Sequence, residues 1–188
     1  MKAKNILRAG LVAGGVAGGL LFLNSCSSIP KKAKAVENFD LKRYLGTWYE
    51  IARFDYRFER ELNNAVAQYS LNENGSVKVV NSGYNYKKNE WTSVEGVAKF
   101  RNEPSIAALK VSFFWPFYSG YNVIAIKENY KYALVAGKNL DYLWILSREK
   151  TIPDEVKNSF LEQAQKIGYD TSKLIWVRQN KANPYVGE

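Results

Sequence analysis

The side chains that enzymes most often use for proton transfer and metal binding are scarce in this chain. Its 188 residues include no histidine and a single cysteine, Cys26. The commonest general base and zinc ligand are therefore missing, and no disulfide can form within the chain. The sequence also lacks a Gly-x-Ser-x-Gly elbow, a Cys/His pair and a metal-ligand cluster. We therefore expect that the protein is not an enzyme and uses no metal or other cofactor.

The position of Cys26 indicates a different chemistry, the attachment of lipid to its thiol. A basic start at residues 2–8 precedes an almost uncharged run of about 15 residues, which suits a signal peptide and is shorter than the roughly 20 that span a membrane. The run ends in Leu-Asn-Ser-Cys at 23–26, which resembles the bacterial lipobox, with Asn24 less usual at its place. This resemblance implies that residues 1–25 are a lipoprotein signal peptide and that Cys26 carries acyl chains.

The residues after Cys26 bear on where the protein lies in the cell. Ser27, not Asp, follows the cysteine, and the sorting rule known for enterobacterial lipoproteins then implies the outer membrane, most simply its periplasmic face. Residues 26–38 are polar and lack periodicity, so we predict a lipidated tether. Its three lysines could contact anionic headgroups, at about 1 kcal/mol each, or could simply be solvated. The net charge of +9 fits either an anionic partner or a solubilising surface.

From residue 39 onward the sequence has the pattern of short strands. Apolar residues alternate with polar ones, and turn signals separate the runs. Eight strands joined by short hairpins predict an all-β, up-and-down antiparallel barrel, and eight strands can enclose one small ligand. The predicted strands are residues 47–54, 65–71, 77–84, 91–100, 107–114, 121–127, 132–136 and 142–147.

One C-terminal helix is expected to pack on the outside of this barrel. In strands such as 143–146 the side chains on both faces are apolar, so both faces must be covered. A helix at about 151–168 has an apolar stripe for this purpose, with Thr151 as its expected cap. A run at 174–177 would add a short edge strand. The barrel with its helix would thus occupy residues 39–180, and we predict a flexible tail at 181–188.

Three motifs resemble those of the lipocalins. Gly-Thr-Trp-Tyr at 46–49 opens the first strand, Asn-Tyr-Lys-Tyr-Ala-Leu-Val at 129–135 is a variant of the second motif, and Tyr-Leu-Trp-Ile-Leu-Ser-Arg at 142–148 matches the third. The second motif usually carries Thr-Asp-Tyr, and the departure is common in the branch of apolipoprotein D and the bacterial outer-membrane lipoprotein lipocalins. Lys-Val-Ser-Phe-Phe-Trp-Pro-Phe-Tyr at 110–118 looks like the bacterial members. The resemblance covers about residues 37–178.

The resemblance assigns Trp48 and Arg148 to closure of one barrel end. A large aromatic residue just after Gly46 suits a plug, although by itself it could be an ordinary core tryptophan. In this fold the first strand begins and the eighth strand ends at the same end. The guanidinium of Arg148 can therefore lie over the indole of Trp48, a contact worth about 0.5–2 kcal/mol.

The resemblance also implies a small hydrophobic ligand, and for the bacterial branch a fatty acid or lysophospholipid. An apolar interior would take the acyl chain from water, and a few polar groups near the mouth would hold the headgroup. Glu50 shares the parity of Trp48, and a buried carboxylate there would need a partner. From parity and loop position, the ligand-binding candidates are Tyr84, Phe113, Phe114, Tyr121 and Trp144 in the wall, with Arg53 and Tyr118 near the mouth. Each could instead be a core, edge or surface residue.

A second class of function stays open beside this membrane-anchored carrier. The protein could be a structural or interaction module at the outer membrane, with a filled barrel and no exchangeable ligand. The aromatic run at 113–118 could then dock on a membrane or on a second protomer, which would give a homodimer. We expect no nucleic-acid partner, because the basic residues are dispersed and no binding motif is present.

Overall fold

The computed structural model describes residues 28–55 and 59–186, so the predicted signal peptide and Cys26 lie outside the described residues. In chain order the elements are α1 Leu41–Tyr44, β1 Gly46–Phe54, β2 Leu62–Leu71, β3 Val77–Asn85, β4 Glu90–Phe100, β5 Ala108–Phe114, β6 Phe117–Lys127, β7 Tyr132–Ala136, β8 Leu143–Ser147, α2 Asp154–Ile167, a 3₁₀ turn Thr171–Lys173, and β9 Leu174–Trp176. Within these ranges, every helix is too short or too polar to span a bilayer.

Strands β1 to β8 form a closed up-and-down antiparallel barrel. Each strand pairs with the next along the chain, and β1 pairs with both β2 and β8. The loops β1–β2, β3–β4, β5–β6 and β7–β8 lie at one end, which we call the open end. The other end, which we call the closed end, carries α1 and the start of β1. The predicted fold class, including the C-terminal helix and the extra strand, is confirmed.

The neighbour of β1 changes along its length. Gly46–Tyr49 pair with β2, whereas Ala52–Phe54 pair with β9. Between the two, the Gln179 amide donates to the carbonyl oxygens of Glu50 and Ala65, each at 2.9 Å. The C-terminal segment therefore fills the gap that opens where β2 leaves β1.

A β-bulge in β1 changes which residues point into the barrel. Trp48 and Glu50 share the inward parity, and the register with β8 shifts between Glu50 and Ala52. Before the shift Glu50 pairs with Leu146, and after it Arg53 pairs with Trp144. Leu146 and Trp144 are two residues apart on β8 and share a face, so Glu50 and Arg53 also lie on the same face. The extra residue thus brings Arg53 inside the barrel.

Helix α2 packs on the outside of the barrel through the predicted stripe, Val156, Phe160, Ala164 and Ile167. It begins at Asp154, with Pro153 as its N-cap and no side-chain cap, so the prediction that Thr151 caps it was wrong. Pro153 disfavours helical conformation in the preceding residue, which leaves Thr151 outside the helix. The Thr151 carbonyl instead accepts a hydrogen bond from Ser147 Oγ at 2.9 Å.

Both ends of the described chain lie against the barrel. In the segment predicted as a tether, Val36 N donates to Val123 O at 2.9 Å and Ala33 is buried in the cluster beneath α2. In the segment predicted as a tail, Lys181 N donates to Asn64 Oδ1 at 2.7 Å, and Asn183 follows it along β2 and β3. Residues 28–38 and 181–186 are therefore packed segments with specific partners.

Candidate functional site in the barrel interior

Arg148 lies over Trp48 at the closed end. The guanidinium carbon is 3.8 Å from the centre of the indole ring, and Trp48 is fully buried. Arg148 also donates to four backbone carbonyl oxygens at 2.7–3.1 Å, those of Arg43, Tyr44, Leu45 and Thr47. One side chain therefore joins the end of β8 to α1 and to the start of β1.

Gly46 makes room for this closure. Its φ is +93°, a backbone conformation that side chains disfavour, and a Cβ there would lie 3.4 Å from Arg148 Nη1. Trp48 Nε1 donates to the Tyr44 carbonyl at 2.8 Å, so the indole and the guanidinium both hold α1 across the barrel end.

Three tyrosine hydroxyls form a hydrogen-bonded chain in the half of the interior nearer the closed end. Tyr121 Oη lies 2.7 Å from Tyr44 Oη and 2.8 Å from Tyr69 Oη. Burial raises the pKa of all three phenols, so they are neutral at physiological pH. They give the interior a polar but uncharged layer next to Trp48, on the side toward the open end.

A charged cluster lies nearer the open end. Arg53 Nη1 donates to Glu50 Oε1 at 2.6 Å, and Arg53 Nη2 donates to the carbonyl oxygens of Glu59 and Leu62 at 2.6 and 3.0 Å. Glu59 Oε2 accepts from Trp144 Nε1 at 2.9 Å. Arg53, Glu50 and Trp144 all face inward, and Glu59 closes over them from the β1–β2 loop.

The cluster contains two carboxyl groups but one guanidinium. Burial raises the pKa of both Glu50 and Glu59, and the negative charge of Glu59 raises that of Glu50 further, while Arg53 opposes both shifts. One positive charge can neutralise only one carboxylate, so the cluster holds a proton more tightly than an exposed glutamate does.

Two buried polar atoms of the inward-facing residues have no hydrogen-bond partner among the described residues. Arg53 Nε has Glu59 Oε2 4.0 Å away, beyond hydrogen-bond distance, and Asn81 Oδ1 has no donor. Asn81 pairs with Ala67, which shares the inward face with Tyr69. An unpaired donor and an unpaired acceptor of this kind suit an amphipathic ligand with both types of group.

The structure brings together some of the predicted ligand-binding residues. Arg53, Tyr121 and Trp144 point inward, and Phe113 is part of the interior cluster. Phe113 packs where Gly96 has no side chain, since a Cβ on Gly96 would lie 2.6 Å from its ring.

The other three predicted residues lie outside the interior cluster, and Tyr118 is at the open end, where it was predicted. Tyr84 faces outward beneath the C-terminal segment, where Lys181 Nζ is 3.6 Å from its ring centre, so its placement in the wall was wrong. Strict alternation from the inward-facing Val79 already puts residue 84 on the outer face. Phe114 and Tyr118 lie on the β5–β6 hairpin at the open end and are 60% and 37% exposed.

Glu59, Tyr44 and Tyr69 were not among the site residues predicted from the sequence. Glu59 belongs to a loop, and no periodicity places a loop residue. Tyr44 precedes the first predicted strand, in the short helix α1. Tyr69 could have been found, because in β2 it has the parity of Ala67, which pairs with Trp48.

Two surface clefts flank the open end. One of about 440 Å³ lies beside β9, with Arg60, Trp176 and Arg178 in its wall. The other, of about 270 Å³, includes Gly96, Phe113 and Trp115 and lies where β4 continues beyond its pairing with β5. Residues 28–55 and 59–186 contain no group of three or more side chains suited to hold a metal ion.

Comparisons with known proteins agree with the three sequence motifs. A family model described as a Lipocalin-like domain matches residues 39–179. The outer membrane lipoprotein Blc of Citrobacter freundii is 54% identical over 169 residues, a match that covers 90% of this chain and 96% of that protein. Apolipoprotein D of Rattus norvegicus is 38% identical over 140 residues, which is 71% of each chain.

The fold also matches solved structures. Insecticyanin from the tobacco hornworm Manduca sexta superposes with a TM-score of 0.66, covering 82% of this chain and 88% of the other at 22% identity. At this identity the match supports the barrel fold alone.

Proposed function

Because this chain belongs to the lipocalin family, we propose that it binds a small hydrophobic ligand in its barrel, and that this ligand is a fatty acid or a lysophospholipid. The protein would store or carry the lipid during maintenance of the bacterial envelope. We further propose that acyl chains on Cys26 hold it at the outer membrane. The name of the Citrobacter freundii relative, outer membrane lipoprotein Blc, supports this location.

The observation that carries the proposal is the amphipathic character of the interior. Apolar side chains such as Val79, Leu109 and Val135 lie in the same interior cluster as the tyrosines. An acyl chain placed there is removed from water at about 25 cal/mol per Å². A headgroup at the level of Arg53 would meet the unpaired Nε of that residue.

The Arg53 cluster also bears on the headgroup. The guanidinium is already paired with Glu50 and with two backbone carbonyls, so it has little capacity left for a second full negative charge. Because the raised pKa of Glu50 lets the cluster keep a proton, its charges are already balanced, and the site favours a headgroup without net charge. Among the two proposed ligands, a zwitterionic lysophospholipid fits this charge pattern better than a fatty acid.

A filled barrel without an exchangeable ligand is the second candidate. The observation in its favour is that aromatic side chains occupy the half of the interior nearer the closed end, where the Tyr44 ring contacts the rings of both Trp48 and Tyr69. In that case the protein would act through its surface.

The test is native mass spectrometry with lipid extraction on a soluble form, residues 27–188. A lysophospholipid or fatty acid copurifying at about one per barrel, and displaced by added lipid, would support the carrier. An empty barrel that also fails to bind an environment-sensitive fatty-acid probe would support the filled barrel. Turnover of a lipid ester would contradict both, since neither predicts catalysis.

An Arg53 variant refines the test. Arg53→Met together with Glu50→Met removes the guanidinium and its closest carboxyl partner, and leaves Glu59 as the remaining carboxyl of the cluster. We expect this double variant to lose preference between zwitterionic and anionic lipids. Arg60→Met, an exposed arginine in the β1–β2 loop, is the matched control and should keep the preference.

A further inference from the structure

The larger of the two surface clefts lies in the seam of the barrel, where β2 leaves β1 and β9 takes its place. Gly46–Tyr49 of β1 pair with β2, and Ala52–Phe54 pair with β9. Within the described ranges no strand pairing joins β2 to β9. The Asn64 amide donates to the Arg178 carbonyl at 2.7 Å, and beyond this bond, toward the open end, the two segments separate. The gap between them is the cleft of about 440 Å³, which we call the seam cleft.

Apolar side chains that water can reach line the seam cleft. Ile175 and Trp176, adjacent on β9, are 39% and 46% exposed, and Tyr86 is 48% exposed. Tyr86 lies in the β3–β4 turn, where its N–H donates to the Glu61 carbonyl at 3.1 Å, so its backbone is held against the β1–β2 loop. Two half-exposed rings and an aliphatic side chain in one cleft suit a ligand with a compact apolar body.

The charged side chains of the seam cleft include one arginine without a counter-charge. Arg60 Nε lies 3.3 Å from Asp55 Oδ2, and Glu61 Oε1 lies 2.8 Å from Lys87 Nζ, so these four charges are paired. Arg178 also lines the cleft and is exposed, and it has no ion pair among residues 28–55 and 59–186. Its backbone is fixed by the bond from Asn64, which leaves the guanidinium to face a ligand. The cleft is therefore suited to an anion.

A second polar group of the cleft wall has unused hydrogen-bonding capacity. Arg53 borders the seam cleft and is 2% exposed, and its ion pair with Glu50 balances its charge. Its Nε is nevertheless buried without a hydrogen-bond partner among the described residues. Buried donors without a partner are uncommon in folded proteins, and an acceptor oxygen from a bound molecule is one way to satisfy them. The seam cleft thus borders an unpaired N–H as well as an unpaired charge.

The volume of the seam cleft limits the size of a ligand. At about 30 Å³ for each water-sized atom, 440 Å³ corresponds to about 15 such atoms. This volume falls within the range of small-molecule sites. A small aromatic acid fits it, whereas a lysophospholipid, with its long acyl chain and its headgroup, is far too large. The cleft and the barrel interior therefore suit different molecules.

We propose that the seam cleft is a second binding site, outside the barrel, for a compact amphipathic anion such as an aromatic carboxylate. The carboxylate oxygens accept hydrogen bonds from the guanidinium of Arg178, and the apolar body covers Ile175 and Trp176. This site goes beyond the proposed function, since it needs neither the lipid anchor nor an exchangeable ligand in the barrel.

The experiment is an NMR titration of the soluble form, residues 27–188, with naphthoate. The barrel, its outer helix and both packed segments lie within residues 28–186, so this form retains the whole fold. The indole N–H signals report on the five tryptophans, and Trp176→Phe identifies the signal of Trp176. We expect naphthoate to shift the Trp176 signal most, and to shift the signal of Trp144, which faces the interior, much less.

Two comparisons test the role of the negative charge. Arg178→Met should raise the dissociation constant for naphthoate roughly tenfold, because it removes a charge-assisted hydrogen bond. The matched control is Lys99→Met, which removes an exposed positive charge from β4 near the closed end and should leave the dissociation constant unchanged. Naphthylmethanol has the same rings without the charge, and it should bind the wild type as weakly as naphthoate binds Arg178→Met.

Four results would overturn the proposal. A largest shift at Trp144 would place naphthoate inside the barrel, and no shift at any tryptophan would mean that the seam cleft does not bind it. Equal dissociation constants for Arg178→Met and Lys99→Met would show that Arg178 does not hold the anion. Inorganic phosphate that shifts Trp176 as tightly as naphthoate does would show a simple anion site without apolar recognition. The lipid anchor and the barrel ligand are unaffected by the last three of these results, because they depend on other residues.

Discussion

Glu50 and Arg53 are three residues apart on β1, yet their side chains meet inside the barrel with 2.6 Å between Oε1 and Nη1. Residues three apart on a regular strand point to opposite faces. The bulge between Glu50 and Ala52 supplies the extra residue that puts both on the inner face. A local irregularity of one strand therefore creates the charged cluster on which the proposed headgroup site depends.

Removing the guanidinium alone should destabilise the protein strongly. In Arg53→Met, Glu50 and Glu59 are left in the interior without a counter-charge, and we expect a loss of about 3–5 kcal/mol in the free energy of unfolding. Arg53→Met with Glu50→Met should recover part of this loss, because Glu59 is then the one carboxyl of the cluster left without Arg53. Urea denaturation at pH 7 measures both. Equal destabilisation of the single and double variants would contradict the pairing.

The stability of the protein should depend on pH through Glu50. Its pKa is raised from 4.5 to about 8 in the folded protein, so the folded state holds the proton more tightly than the unfolded chain does. This stabilisation is fully present below pH 4.5 and is lost as the pH rises toward 8. Urea midpoints for wild type should fall across that window, and Glu50→Gln should flatten the fall. Glu155→Gln, on the exposed side of α2, should keep the wild-type slope.

Arg148 should contribute more to the free energy of unfolding than an exposed arginine does. Arg148→Ala removes the contact with the Trp48 ring and leaves the carbonyls of Thr47 and Leu45 without their donor. We expect a loss of roughly 3 kcal/mol by denaturation. Arg148→Lys should recover part of this stability, because lysine keeps the positive charge but lacks the planar guanidinium and its several N–H donors. Arg60→Ala should change stability by less than about 0.5 kcal/mol. A loss at position 148 no larger than at position 60 would argue against this account of closure.

Removing the hydroxyl of the central tyrosine in this chain should cost more stability than removing that of a terminal tyrosine. Tyr121→Phe breaks two hydrogen bonds and leaves the hydroxyls of Tyr44 and Tyr69 unpaired, whereas Tyr69→Phe breaks one. We expect costs of about 2 and 1 kcal/mol, respectively. Thermal or urea unfolding of the two variants gives the comparison. The reverse order would mean that other groups satisfy Tyr44 and Tyr69.

The local pattern of the sequence predicted most of the architecture. Alternating apolar runs located eight strands within a few residues of their observed bounds, and the stripe from Val156 to Ile167 located the outer helix. Both signals are local, because the period of side-chain exposure belongs to each element alone. The relation between Trp48 and Arg148 followed from the resemblance and from the order of strands, which fixes the end at which β1 starts and β8 stops.

Tertiary structure decided the charged cluster and the segments that pack on the barrel. The bulge in β1 arises from pairing with β8, and no alternation within β1 shows it, so the position of Arg53 beside Glu50 could not be read from the strand. Glu59 reaches Trp144 from a loop, and residues 28–38 and 181–186 find their partners on strands far away in the chain. Such contacts depend on how distant elements are arranged in three dimensions. The sequence alone therefore determined the barrel, and the folded chain determined which polar groups meet inside it.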